Sequence, residues 1–180
     1  MMIKKSVLII SLMTCFVSAL FAPIAAYAQD VTWLSGNQLE EVKSNCIATQ
    51  NVLSKLQKRD AVSRINRGRA YDLLARQIIA FDDRLSYNKI DLPKVQQLGS
   101  DYQKGVDSFR ELYYTYDNLL TDAIKMDCKA TPQEFYNIIQ SARTARSSIG
   151  VQIAKLEDVT TAYRAEIVKY QNTLQNGVSQ

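Results

Sequence analysis

From Leu39 onward, apolar or small residues fall at Leu39, Val42, Cys46, Thr49, Leu53 and Leu56. The steps are three and four, the spacing of one buried face on a helix. The stripe resumes at Tyr71, Leu74, Ile78, Phe81 and Leu85, after passing through Asp60, Arg64 and Arg67 with a four-residue stutter. No proline interrupts residues 38–86, so the pattern predicts one helix there. Its weak point is Gly68, where it can bend. Asn37, with Glu40 three residues on, reads as its N-cap and capping-box partner. Ser86 to Lys89 is a polar turn. Asp91 then reads as the cap of a second helix over 92–126, with Pro93 in its first turn and Gly99-Ser100 as a place where that turn can split off. Its stripe is Val95, Leu98, Tyr102, Val106, Phe109, Tyr113, Tyr116, Leu120 and Ile124.

Thr131-Pro132-Gln133-Glu134 opens a third helix over 132–176, with Thr as cap, Pro at the first position and Glu at the third. A heptad follows, with one row at Phe135, Ala142, Ile149, Leu156, Tyr163 and Tyr170. The second row is Ile139, Arg146, Ile153, Thr160, Ile167 and Leu174. Short turns between long helices make neighbours antiparallel. The expected fold is therefore all-α, an elongated antiparallel three-helix bundle over 37–176 with coiled-coil-like packing. The alternative is a four-helix bundle with the first helix folded back near residues 59–68. Residues 29–36 form a lead-in, and 177–180 a frayed tail.

The first 28 residues follow another logic. Lys4 and Lys5 precede a nearly continuous apolar run from Val7 to Ala22, then Pro23 and Ala26-Tyr27-Ala28. A basic start, an apolar run and small residues at the cleavage positions make a secretory signal peptide, cut after Ala28. The expected destination is extracytoplasmic: secreted, periplasmic or at the cell surface. No later segment is apolar enough to span a bilayer. Losing Lys4 and Lys5 takes 22 basic residues to 20 against 18 acidic ones, a net charge of +2. That near-neutrality removes most of the argument for a nucleic-acid partner.

Two cysteines remain, Cys46 and Cys128. An even pair in an oxidising compartment suggests a disulfide. Counting along the helices from the first turn places them about 60 and 54 Å from the same end, at one level. The redox alternative lacks a C-x-x-C motif.

The chain has no His, which removes the commonest general base and zinc ligand. There is no G-x-S-x-G and no H-E-x-x-H, and the acidic pairs Asp82-Asp83 and Glu157-Asp158 are adjacent, so they diverge on a helix. No catalytic residue, metal site or cofactor is expected.

Three features break the local rules. Asp60 and Arg67 stand where the first helix's stripe calls for apolar residues, and Arg146 does so in the third. Counting residues puts Asp60, Arg146 and the cluster Tyr113, Tyr114, Tyr116 at one level, with Arg64 next and Arg67 opposite Asp107. The expectation is a buried polar layer: Asp60 paired with Arg146 or Arg64, Tyr113 or Tyr116 giving a hydroxyl, the whole fixing helix register or opening to an anionic ligand. Tyr114 lies off the stripe and is the candidate surface contact. Lys58 to Arg76 carries Lys58, Arg59, Arg64, Arg67, Arg69 and Arg76 against only Asp60 and Asp72. It reads either as an anion or partner site, or as a solvated face with structural ion pairs.

The elements Asn45-Cys46, Asp60-Ala61, Arg64-Ile65-Asn66-Arg67-Gly68, Tyr71, Asp127-Cys128, Pro132 and Phe135-Tyr136 resemble those of small exported α-helical proteins of reduced-genome bacteria. The resemblance covers most of the mature chain and implies an exported helical protein, with no known activity attached. The functional expectation is a non-enzymatic exported protein that binds another protein or a cell-envelope component through a helix face. The alternative is a periplasmic holdase-type chaperone, a class whose L-T-x-x-Q repeats this chain lacks. Neither the partner nor the oligomeric state is legible in the sequence.

Overall fold

The computed structural model describes residues 33–177; the predicted signal peptide and residues 178–180 lie outside them. Three helices account for the described residues, α1 (Gly36–Tyr87), α2 (Pro93–Lys125) and α3 (Pro132–Gly177), with no strand among them. The four-helix alternative fails because α1 runs unbroken through Gly68. One glycine, costing about 1 kcal/mol, does not stop a helix held by packing on both sides of it. Gly99 does not split α2 either, since that helix is continuous from Pro93.

The helix ends correct three sequence expectations. The N-cap of α1 is Ser35, not Asn37: its backbone N–H donates to Gln38 Oε1 at 2.8 Å, while Glu40 pairs with Lys43. The lead-in therefore ends at Ser35 rather than Gly36. The N-cap of α2 is Leu92, without a side-chain cap, so Asp91 does not fill that role; Pro93 takes the first helical position, as its missing N–H allows. The α1–α2 connection turns on Lys89, whose φ is +54°, with Ile90 N–H donating to Leu85 C=O at 2.9 Å. The α2–α3 connection is tied by Asp127, whose Oδ1 accepts from the N–H groups of Lys129 and Ala130.

α2 is the shared element: its largest interface is with α3, the next with α1, and α1 and α3 touch sparsely. Its buried face is the predicted stripe from Val95 to Leu120, closed by Ala123 in place of the half-buried Ile124. Against it pack Cys46, Leu53 and Ile78 from α1, and Phe135, Ala142, Ile149 and Leu156 from α3. Gln50 and Gln57 of α1 also reach α2. Gln50 Nε2 donates to the C=O groups of Ala123 (3.1 Å) and Met126 (2.9 Å) at the C-terminal end of α2. Gln57 Nε2 donates to Thr121 Oγ1 at 2.9 Å. Cys46 and Cys128 stand at disulfide distance, with Cα atoms 5.7 Å apart and both side chains buried.

Two predictions follow from this packing. The bridge closes a span of 82 residues, worth about 4 kcal/mol in the chain-entropy account. Mass analysis of non-reduced protein should show both thiols lost within one monomer, and free thiols or a dimer would refute the pairing. The glycines should respond with opposite signs. A Cβ at Gly68 meets nothing within 4 Å, so Gly68→Ala should stabilise by about 1 kcal/mol. A Cβ at Gly99 would lie 2.7 Å from Asp82 Oδ2 and 2.8 Å from Ile78 Cγ2, so Gly99→Ala should destabilise by about 1–3 kcal/mol. Chemical denaturation of the two variants checks both signs.

Candidate functional site

Asp60 is the one buried charged residue among those described, 8% exposed. Its position on the inner stripe of α1 makes burial unavoidable once α1 packs on α2. A carboxylate there requires partners, and α2 and α3 supply them. Tyr116 Oη donates to Asp60 Oδ2 at 2.8 Å, and Arg146 Nε donates to the same oxygen at 3.0 Å. Tyr113 Oη donates to the backbone C=O of Asp60. One residue of α1 thus binds two tyrosines one turn apart on α2 and an arginine of α3.

Arg146 is not buried with Asp60. Its side chain is 53% exposed and reaches inward from the surface, which corrects the expectation of a fully buried charged layer. The reason is the sparse α1–α3 contact, which leaves the guanidinium a route to water. Arg64 does not pair with Asp60 either; its guanidinium lies over the Tyr113 ring, 5.6 Å from the centroid. Asp60 instead has a second, longer ion-pair contact with Arg59 at 3.9 Å. Arg67 is exposed and forms no ion pair with Asp107, which binds Arg110 on its own helix. Tyr114 is 64% exposed.

The electrostatics follow from this geometry. Burial, then the hydrogen bond to Asp60, pushes the Tyr116 hydroxyl far above the usual phenol range. Burial and the neighbouring Asp60 also raise Tyr113, against a lowering by Arg64 and Arg146. The hydrogen bond from Arg146 to Asp60 raises the guanidinium further. All three stay in the protonation state that donates a hydrogen bond at neutral pH. The cluster is therefore a set of three donors around Asp60, drawn from α2 and α3.

The aromatic rings continue the layer upward. Phe109 meets Tyr71 edge-on at 5.2 Å and Tyr113 at 5.6 Å, and Tyr113 meets Tyr116 at 5.9 Å. Toward the α1–α2 turn lies a second polar group that spacing did not reveal. Asp82 Oδ1 and Tyr163 Oη are buried without a hydrogen-bond partner. Burial, then Asp83, raises the Asp82 carboxyl; burial and Asp82 push the Tyr163 hydroxyl up to about 12. Tyr163 was visible only as a heptad position, and Asp82 only as half of an adjacent acidic pair.

A groove of about 300 Å³ runs between α2 and α3, lined by Asp101, Gly105, Gln152, Lys155, Asp158 and neighbours. Gln152 Nε2 closes its floor by donating to Gly105 C=O at 2.9 Å. Among the described residues no three His, Cys, Asp or Glu side chains converge on a point that could hold a metal ion.

The cluster makes an ordered prediction. Tyr116→Phe removes a hydrogen bond to a charged acceptor and should cost about 1.5–3 kcal/mol. Tyr113→Phe removes one to a carbonyl and should cost about 0.5–1.5 kcal/mol. Because Arg146 is half in water, Asp60→Leu should cost about 1–3 kcal/mol, below the about 3–5 kcal/mol of a fully buried broken pair. Arg146→Leu made in the Asp60→Leu background should cost almost nothing. Equal effects for the two tyrosines, or additive losses in the Asp60–Arg146 cycle, would refute the arrangement.

Comparison with protein-family models, curated proteins and solved structures finds no match to this chain.

Proposed function

We propose that this chain is a non-enzymatic exported protein, an antiparallel three-helix bundle with coiled-coil-like packing that binds another protein or a cell-envelope component through a helix face. The antiparallel reading is supported by the pairs Cys46–Cys128, Gln57–Asp117, Asp60–Tyr113 and Tyr71–Tyr102, in which the α1 number rises as the α2 number falls. Export is supported by the signal-like first 28 residues and by a buried cysteine pair at disulfide distance. No helix among the described residues is long and apolar enough to cross a membrane. The non-enzymatic reading rests on composition, above all on a chain without His.

The observation that carries the binding reading is the division of labour among the helices. α2 is covered on two sides by its neighbours, whereas the face of α1 turned away from α2 is uncovered and bears exposed Ile47, Val62, Ile65, Leu73 and Ile79. Basic residues interrupt these aliphatics at nearly every turn. A holdase needs a continuous apolar groove, so the interrupted row favours a specific binder.

The test is photocrosslinking in living cells, with a photoreactive residue at Ile65 of α1, at Tyr114 of α2 or at Val151 of α3. A discrete adduct from one helix face is the expected result. Diffuse adducts from all three positions would point to the holdase, and no adduct from any would refute the binding role. Processed material should begin at Gln29; an uncleaved chain would refute the export reading.

A further inference from the structure

We propose that the outer stripe of α1 from Lys58 to Arg76 is a docking surface for an anionic phospholipid membrane. This rests on the helix-face reading above and names the face and its ligand.

The stripe is Lys58, Val62, Ile65, Arg69, Leu73 and Arg76, at steps of four, three, four, four and three. That is one straight line along a helix, about 27 Å long. All six residues are exposed; Val62, Ile65 and Leu73 stand at 59, 47 and 60%. In sequence the segment also holds two acids, and the fold gives each a partner. Asp60 is buried against Tyr113, Tyr116 and Arg146 on the opposite side of α1. Asp72 is bound by Arg110 of α2. The face therefore carries three cations and three aliphatic side chains, with Asp72 at its margin neutralised by Arg110.

The form of the face selects the ligand. It is a convex ridge with isolated aliphatics between long cationic stems. A fluid bilayer moulds itself around such a ridge: aliphatic side chains enter the acyl boundary while Lys and Arg extend their charges to the headgroups. A protein partner would need a matching concave groove, usually gripped by aromatic anchors, and no aromatic residue stands on the stripe. Single-stranded nucleic acid would likewise need aromatic stacking platforms. Cations along the row supply the attraction, which acts only on an anionic surface and within a Debye length.

The test compares two positions on the same chain, so whatever residues 1–32 contribute is common to both variants. The chain has one tryptophan, Trp33. In the full chain carrying Trp33→Phe, tryptophan is introduced as Leu73→Trp, or as Val151→Trp on α3 for comparison. Vesicles of brominated phosphatidylcholine with about one-third phosphatidylglycerol supply the quencher and the anionic surface. Quenching is expected for Leu73→Trp and not for Val151→Trp. It should be lost on purely zwitterionic vesicles and on raising salt from about 0.05 to 0.5 M. The triple change Lys58→Glu, Arg69→Glu, Arg76→Glu should weaken it at least about tenfold, by attraction turned to repulsion at three sites.

An unquenched Leu73→Trp would overturn the proposal, as would quenching indifferent to lipid charge or to the triple change. An emission shift with poly-glutamate but not with vesicles would overturn it in favour of an acidic protein. A discrete protein adduct at Ile65 in cells, without vesicle binding, would leave the helix-face reading standing and remove only the membrane.

Discussion

The Asp60 carboxylate is the constraint on which much else in this molecule depends. A carboxylate on the inner stripe of α1 stays charged only with partners from the helices it faces. It finds Tyr116 and Arg146 at hydrogen-bond distance, while Tyr113 holds the adjoining carbonyl. Sliding either α2 or α3 by one turn relative to α1 would move these donors about 5 Å and strand the charge. A purely apolar layer would penalise such a slip far less, because one aliphatic pair replaces another. A register that keeps these donors on the carboxylate is thereby favoured over one that moves them away.

The same inward turn shapes the outside. With Asp60 taken into the core and Asp72 held by Arg110, the cations along the middle of α1 outnumber the acids left at its surface. Register and surface chemistry are thus two consequences of one placement. The covalent tie acts at a different level: Cys46 and Cys128 bring the early part of α1 to the chain just beyond α2, near the carbonyls that Gln50 caps. Between the bridge and Asp60, Gln57 adds another side-chain link from α1 to α2.

The asymmetry of the assembly follows from where the large side chains lie. α2 carries Tyr102, Phe109, Tyr113, Tyr116 and Leu120 on its buried face, enough bulk to hold both neighbours while keeping them apart. The sparse contact of α1 with α3 is the result. It explains why Arg67, placed by the stripe in the interior, is exposed, and why Arg146 reaches Asp60 from the surface. Close approach is confined to places where α2 lacks a side chain. Gly99 admits Asp82 and Ile78, and Gly105 admits Leu156.

Three helices, their approximate limits and the buried stripe of α2 were legible in the sequence because they depend on periodicity and local chemistry. The Pro93 and Pro132 starts and the chain reversals between helices act within a few residues. The continuity of α1 through Gly68 was left open by the sequence and decided by the fold, in which a single glycine carries too small a penalty to outweigh a long packed face. Caps were read less well. Asn37 and Asp91 have the chemistry of caps, but Ser35, through its local capping box with Gln38, and Leu92 hold the position. Counting residues put Asp60, Tyr113, Tyr116 and Arg146 at one level. It could not show that both tyrosines would engage Asp60, that Arg64 would stack on a ring, or that Arg59 would be the second cation. Those outcomes depend on rotation of each helix about its axis and on side-chain reach, quantities a linear pattern does not contain. Lys58 to Arg76 belongs to the same class: periodicity shows which of its residues share a side of the helix, and only the tertiary structure decides which side is left exposed.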